Sequence, residues 1–184
     1  MRSTDIITDR AGFYICWGCL VWVPAVYSSP PFYMVLHSQV SGWGLASLIF
    51  ALGSISIWMN YWADRQRMAF REKGGSINIW GKPATFIRAT YLTGSGESKE
   101  NLLLTSGFWG LSRHFHYVPE LAAAFFWTCA AGFSTFLPWF YLIFLTILLV
   151  HRSFRDDEKC LAKYGDSWVE YRKKVRFRLV PGIF

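Results

Sequence analysis

Leu148-Leu149-Val150-His151-Arg152-Ser153-Phe154-Arg155-Asp156-Asp157-Glu158-Lys159-Cys160-Leu161-Ala162-Lys163-Tyr164-Gly165 begins at the end of an apolar run and is itself dense in charge. A membrane-type segment therefore hands over directly to a polar helix carrying Arg, Asp, Cys, Lys and Tyr. Gly165 stands at the C′ position of that helix, where a left-handed residue closes the last turn. Basic groups at the end of an apolar span are the ordinary mark of its cytoplasmic side. The same groups at a membrane boundary also suit a charged ligand.

Working outward, the composition sets the class. The chain has 184 residues, 53% hydrophobic and 19% aromatic, with ten Trp. Trp and Tyr gather at membrane interfaces. No Asp, Glu, Lys or Arg falls between Arg10 and Asp64, or between Glu120 and Arg152. A membrane helix needs roughly 20 apolar residues. The first gap fits two spans, and the second fits one long span or two short helices. The fold class expected is all-α, a multi-pass transmembrane helical bundle with a cytosol-facing cofactor pocket.

The divisions expected are two transmembrane helices over 1–62 and a cytosolic helix and loop over 63–120. Transmembrane helices over 121–150 and cytosolic helices over 151–184 follow. The net charge of +7 is concentrated in 63–75 and 151–184. Both segments read as cytoplasmic and as contacts for anionic lipid, not as a nucleic-acid patch. The start of the chain lacks the pattern of a cleaved signal peptide. Cys16, Cys19, Cys129 and Cys160 are scattered, which points to packing rather than to a disulfide framework.

The polar residues 1–10 read as a loop. Ala11 to about Tyr27 reads as a first span, broken by Ser28-Ser29-Pro30-Pro31 with a kink at Pro24, and Phe32 to Val40 is open between an interfacial stretch and the next span. Gly42 to Trp62 is a second span rich in small residues, which allow close helix approach. Asp64 to Lys73 continues as a polar helix that Gly74-Gly75 stops. Residues 76–105 read as mostly extended, with a turn at Asn78 to Pro83 and a hairpin tip at Thr93-Gly94-Ser95-Gly96-Glu97. The apolar run Leu121 to Val150 breaks near Gly132 and Pro138. Ser167 to Glu170 fits a capping box opening a last short helix. Leu161, Tyr164, Trp168 and Tyr171 would line one side of the final helix pair, and the apolar end Leu179 to Phe184 would tuck back.

Two further features point to a ligand. Arg67 and Arg71 are one helical turn apart, and two guanidinium groups at that spacing suit a phosphate. Thr105 to Tyr117 interleaves glycines, aromatics and basic groups just ahead of an apolar run. Such faces fit a flat heterocycle, or alternatively an interfacial aromatic belt. His114 and His116 lack the i, i+4 spacing of a zinc motif.

The quoted stretch resembles the C-terminal signature of the sterol reductase family: an apolar pair, then His151-Arg152, Arg155-Asp156, Cys160 and Lys163-Tyr164-Gly165. The similarity extends to Cys16 through Pro24, Asp64 through Arg67, Ile79 through Lys82, Ser106 through Gly110, His114 through Glu120 and the terminal Pro181-Gly182-Ile183-Phe184. These segments look most like the Δ7 branch, whose substrate is 7-dehydrocholesterol-like. The resemblance implies NADPH-dependent reduction of a sterol ring C=C bond within a multi-pass endoplasmic reticulum membrane protein. Membrane lipid and other enzymes of the sterol pathway are implied as surroundings.

Carried over by motif, the cofactor contacts are Arg67 (where relatives often have Lys), Arg71, Leu104, Trp109, His116, Tyr117, Asp156, Cys160, Leu161, Ala162, Lys163, Tyr164 and Tyr171. Reduction of an isolated alkene needs an acid for one carbon and a hydride for the other. The acid candidates are Tyr117 and Glu120. Family members are roughly twice as long, so the chain looks like their NADPH-binding C-terminal half. Two rival readings are a membrane scaffold without activity and an isoprenylcysteine methyltransferase-like enzyme using S-adenosylmethionine.

Overall fold

A computed structural model describes residues 12–37, 42–93 and 96–184, the side chains of Tyr14 and Ile15 excepted. The expectations for residues 1–10, for the end of the Phe32-to-Val40 stretch and for Gly94-Ser95 lie outside the described residues. The first apolar run is helical. It comprises α1 (Phe13–Trp17), a π-helical stretch (Gly18–Trp22) and α2 (Val23–Tyr27), followed by α3 (Ser29–Leu36). The axis bends by 43° between the part ending at Tyr27 and α3. The bend sits at Ser28, the first residue of the expected Ser28-Ser29-Pro30-Pro31 break. Pro24 follows directly on the π-helical stretch, in the first turn of α2.

The second span and the polar helix expected after it are one element. This helix, α4 (Trp43–Glu72), runs 30 residues without a break. At about 1.5 Å per residue it is ~45 Å long, longer than a ~30 Å hydrocarbon core. Its apolar part can cross a membrane while its last turns, with Asp64, Arg65, Gln66, Arg67 and Arg71, project beyond. Gly74 and Gly75 then take φ of 56° and 90°, which ends the helix as expected.

The all-α expectation needs correction at this point. Two small antiparallel sheets follow: β1 (Asn78–Ile79) with β2 (Lys82–Pro83), and β3 (Phe86–Leu92) with β4 (Ser98–Leu104). The register of the second pairs Phe86 with Leu104, Ile87 with Leu103 and Leu92 with Ser98. Side chains alternate across a strand, and each face of this hairpin meets its own core. Phe86, Leu102 and Leu104 pack with Ala63, Phe70 and Trp109. Ile87 and Leu103 pack with Trp168, Tyr171 and Val175. The hairpin is thus a wedge between α4 and the C-terminal helices.

The short α5 (Phe108–Leu111) and α6 (Tyr117–Cys129) come next, and α6 packs along α4. The long apolar run breaks after Cys129, with Gly132 at φ 75°, and resumes through a 3-10 turn (Leu137–Trp139) into α7 (Phe140–Tyr164). Among the described residues two helices are long and apolar enough to cross a membrane, Trp43–Glu72 and Leu137–Tyr164, and the bent pair around Ser28 is a third if taken as one span. Trp43, Phe50 and Ile147 are exposed on these helices, as lipid-facing residues are.

Gly165 (φ 51°) ends α7 and begins α8 (Asp166–Lys174) at once. The expected capping box at Ser167 is therefore absent. Gly165 occupies the N-cap, and Ser167 lies inside the first turn. Tyr164, Trp168 and Tyr171 do line one side of this corner, whereas Leu161 is exposed. The tail tucks back at Leu179, which joins Tyr117, Leu145 and Leu149 in a third core, and at Phe184, whose ring centre lies 5.9 Å from that of Phe154 in α7, while Ile183 is largely exposed.

Candidate functional site

The projecting end of α4, the turn before α5 and the α7–α8 corner converge on Trp109. Gly107 has φ 66° and ψ −146°, a conformation essentially reserved for glycine. This turn lets the Phe108 amide donate to Gln66 Oε1 at 3.0 Å. The next residue, Trp109, is 4% exposed and donates its indole N–H to the Ala63 carbonyl at 3.0 Å. The guanidinium of Arg67 lies 4.2 Å from the centre of the Trp109 ring, a cation–π contact. On the far side the Tyr171 hydroxyl donates to the Trp109 carbonyl at 3.4 Å. Burial pushes the Tyr171 phenol up to about 12, against the pull of Arg67 and Arg113. It therefore stays a neutral donor at physiological pH.

A second ring of groups follows in sequence. The rings of Trp109 and His116 are 5.0 Å apart, those of His116 and Tyr117 4.2 Å, and those of His114 and Tyr117 are stacked at 5.3 Å. Burial lowers His114 to about 4, helped by the Arg113 charge. Burial lowers His116 to about 3, helped by His114 and Arg67. Both imidazoles are neutral at pH 7. Among the described residues His114 Nε2 and His116 Nδ1 are buried without a hydrogen-bond partner. Native structures leave few such atoms.

Of the residues singled out in the sequence, Arg67, Trp109, His116, Tyr117 and Tyr171 come together here. Leu104 lies in the same apolar cluster as Trp109, and Cys160 and Tyr164 pack in the cluster of Tyr171. Arg71 is exposed one turn beyond Arg67. Lys163 is turned towards the hairpin, its ammonium 3.9 Å from the Tyr91 ring centre. Ala162 lines a shallow depression with Thr90 and Tyr91, and Leu161 is exposed. Glu120 is half-buried in the first turn of α6, within electrostatic reach of Arg152 and Asp64.

Trp109, Tyr117 and Tyr171 are buried in this arrangement, each in a different packed cluster. A cavity of about 470 Å³ lies elsewhere, between α3, α4 and α6, with Met34, Phe50, Ser54, Ala123 and Trp127 in its walls.

Asp156 is a quarter exposed and 3.9 Å from Arg152. Its neighbour is the residue that the sequence reading passed over. Asp157 is 5% exposed. Its Oδ1 lies 3.5 Å from Arg113 Nε and accepts the Trp168 indole N–H at 3.0 Å. Its Oδ2 lies 3.1 Å from Arg178 and 3.8 Å from Arg172. Arg113 in turn donates to the Val175 and Arg176 carbonyls at 2.8 and 3.1 Å. The sole sequence signal was the run of two adjacent Asp on one helix, of which only one can face inward.

The family model for the ergosterol biosynthesis ERG4/ERG24 family matches residues 1–184. A 7-dehydrocholesterol reductase of Arabidopsis thaliana is 56% identical over 183 residues, covering 100% of this chain and 42% of that protein. A Delta(14)-sterol reductase of Methylotuvimicrobium alcaliphilum is 40% identical over 185 residues, covering 100% and 41%. A 7-dehydrocholesterol reductase of Danio rerio is 37% identical over 184 residues, covering 100% and 38%. The chain spans about two fifths of the length of these relatives.

Proposed function

Because this membrane protein belongs to the ERG4/ERG24 family of sterol reductases, we propose that it carries the NADPH-binding half of an enzyme reducing a ring C=C bond of a Δ7 sterol. The observation that carries the reading is the Arg67–Trp109–Tyr171 arrangement beside two neutral imidazoles with unsatisfied nitrogens. The Δ7 preference rests on the relatives named as 7-dehydrocholesterol reductases, one of them 56% identical. The reductase names of the matched relatives favour this over a scaffold or a methyltransferase.

The residues present fit a phosphorylated dinucleotide. Arg67 and Arg71 offer two cations one turn apart, and charge-assisted bonds to phosphate are the strong kind. The buried, unpartnered His116 Nδ1 has one hydrogen bond to give or take, which suits an amide or a ribose hydroxyl. Leu104, Trp109 and Tyr171 supply apolar and aromatic walls, and Asp156 with Cys160 to Tyr164 supplies the side from α7. NADPH, when bound, supplies the hydride. The chain's own task is to orient it, exclude water, and present Tyr117 or Glu120 to the alkene as the proton source. Glu120 is reached along α6 one turn from His116.

The proposed setting is the endoplasmic reticulum membrane, with residues 63–120 and 151–184 on the cytosolic side of a multi-pass fold. Calorimetric titration of the purified chain in nanodiscs with NADPH and with S-adenosylmethionine tests the class. Binding of NADPH alone supports a reductase half. Binding of S-adenosylmethionine without NADPH overturns the reading.

A further inference from the structure

Resting on that reading, we infer that Asp157 is a positioning residue for the proposed cofactor site: its carboxylate holds both sides of the Trp109 cluster in register through three arginines and one indole. Two arms leave it. One runs through Trp168, whose indole N–H donates to Asp157 and whose ring stacks on Tyr171 with ring centres 4.8 Å apart. Tyr171 then reaches the Trp109 carbonyl, and Trp109 carries Arg67 on its ring. The other arm runs through Arg113 and Arg178. The Arg113 and His114 amides donate to the Phe177 and Arg178 carbonyls, both at 3.0 Å, so the loop pairs with the tail. That pairing fixes the backbone from which His114, His116 and Tyr117 project.

Three features set this carboxylate apart from an ordinary ion pair. It is buried, with 6% side-chain exposure, as is Arg113. It serves α7, α8, the tail and the loop before α6, four segments with no other shared polar partner among the contacts described above. One negative charge also answers three positive ones, so its removal leaves buried guanidinium groups uncompensated. Arg172, 42% exposed and 3.8 Å away, is the loosest of the three. A site fixed by packing alone would need no such tie. A site whose parts come from four segments needs one, because small displacements of positioned groups carry large functional losses.

Asp157→Asn, in the purified chain in nanodiscs, tests this by two readouts, with Glu158→Gln as the exposed control of equal charge change. The expected result is about tenfold faster amide exchange at Arg113, His114 and residues 177–178, loss of near-ultraviolet dichroism from the Trp109–Tyr171–Trp168 rings, and about tenfold weaker NADPH binding. Asp157→Glu restores the dichroism in part, and Glu158→Gln matches the parent. Parent-like exchange and dichroism in Asp157→Asn overturn the inference. If the parent itself binds no NADPH, the cofactor reading fails, while exchange and dichroism still decide the role of Asp157. Should Asp157→Asn not fold, Arg178→Gln removes the tail arm alone. It must then speed exchange at His114 and the tail, and parent-like exchange there overturns the inference.

Discussion

Gly107 ties the candidate site to α4 through its backbone conformation. A Cβ at this position would lie 2.6 Å from Ile79 Cγ2 and against Gln66 Oε1. Gly107→Ala combines a forbidden conformation with a clash at the one amide that Gln66 receives. It should lower unfolding free energy by about 3 kcal/mol, measured by denaturant unfolding in detergent, and it should weaken ligand binding at Trp109. The histidines carry the pH dependence. Both have folded values below the ordinary 6.5, at about 4 and about 3. The unfolded chain therefore binds more protons as pH falls below 6.5. Their contribution is intact above that pH and is lost progressively towards pH 4 and then 3. Thermal melts from pH 7.5 to 4 should show a falling midpoint; a midpoint that rises on acidification would contradict the buried neutral state. At this scale the sequence was legible by spacing and residue type as well as by motif. Arg67, Trp109, His116 and Tyr171 were named from it and do converge. Asp157 was not, since adjacent identical residues on a helix differ only by which face the tertiary fold buries.

Among the elements, the β3–β4 hairpin does what no helix pattern announced. It packs α4 on one face and α8 on the other, and it straps the end of α7. Asn101 Nδ2 donates to the Tyr164 hydroxyl at 2.7 Å, and Lys163 lies over Tyr91. Tyr164→Phe removes that acceptor and should cost about 1 kcal/mol. Amide exchange in β3 and β4 should rise while the α4 amides stay protected. Equal protection throughout would show that the strap carries no load. The sequence reading recovered the extended region and its hairpin, because the glycines between Thr93 and Glu97 mark a tight turn between two strands. It carried the second span on through Asp64 to Gly74-Gly75, as α4 does, because the switch from apolar to charged residues at Asp64 marks a change of solvent and not a helix end. It misplaced the start of α8, because Gly165 at positive φ serves both helices and leaves Ser167 nothing to cap.

At the scale of the whole molecule, the membrane class followed directly from two charge-free gaps, and the candidate spans fall within them or extend past them. The packed centre of the candidate site did not follow, since aromatic residues that suit a flat ligand are the same residues that fill a core. The apolar cavity between α3, α4 and α6 likewise depends on helix packing that no local pattern encodes. The chain covers about two fifths of its relatives, so binding by this chain is the property to measure first, ahead of turnover. The decisive measurement is the ratio of NADH to NADPH dissociation constants, for the parent and for Arg67→Gln, by titration in nanodiscs. A charge-assisted bond to phosphate is worth about 1.5–3 kcal/mol, or roughly tenfold to a hundredfold. The proposed site predicts a parent ratio of at least about ten that collapses towards one in Arg67→Gln; equal affinities in the parent, or a ratio untouched by the substitution, would contradict it.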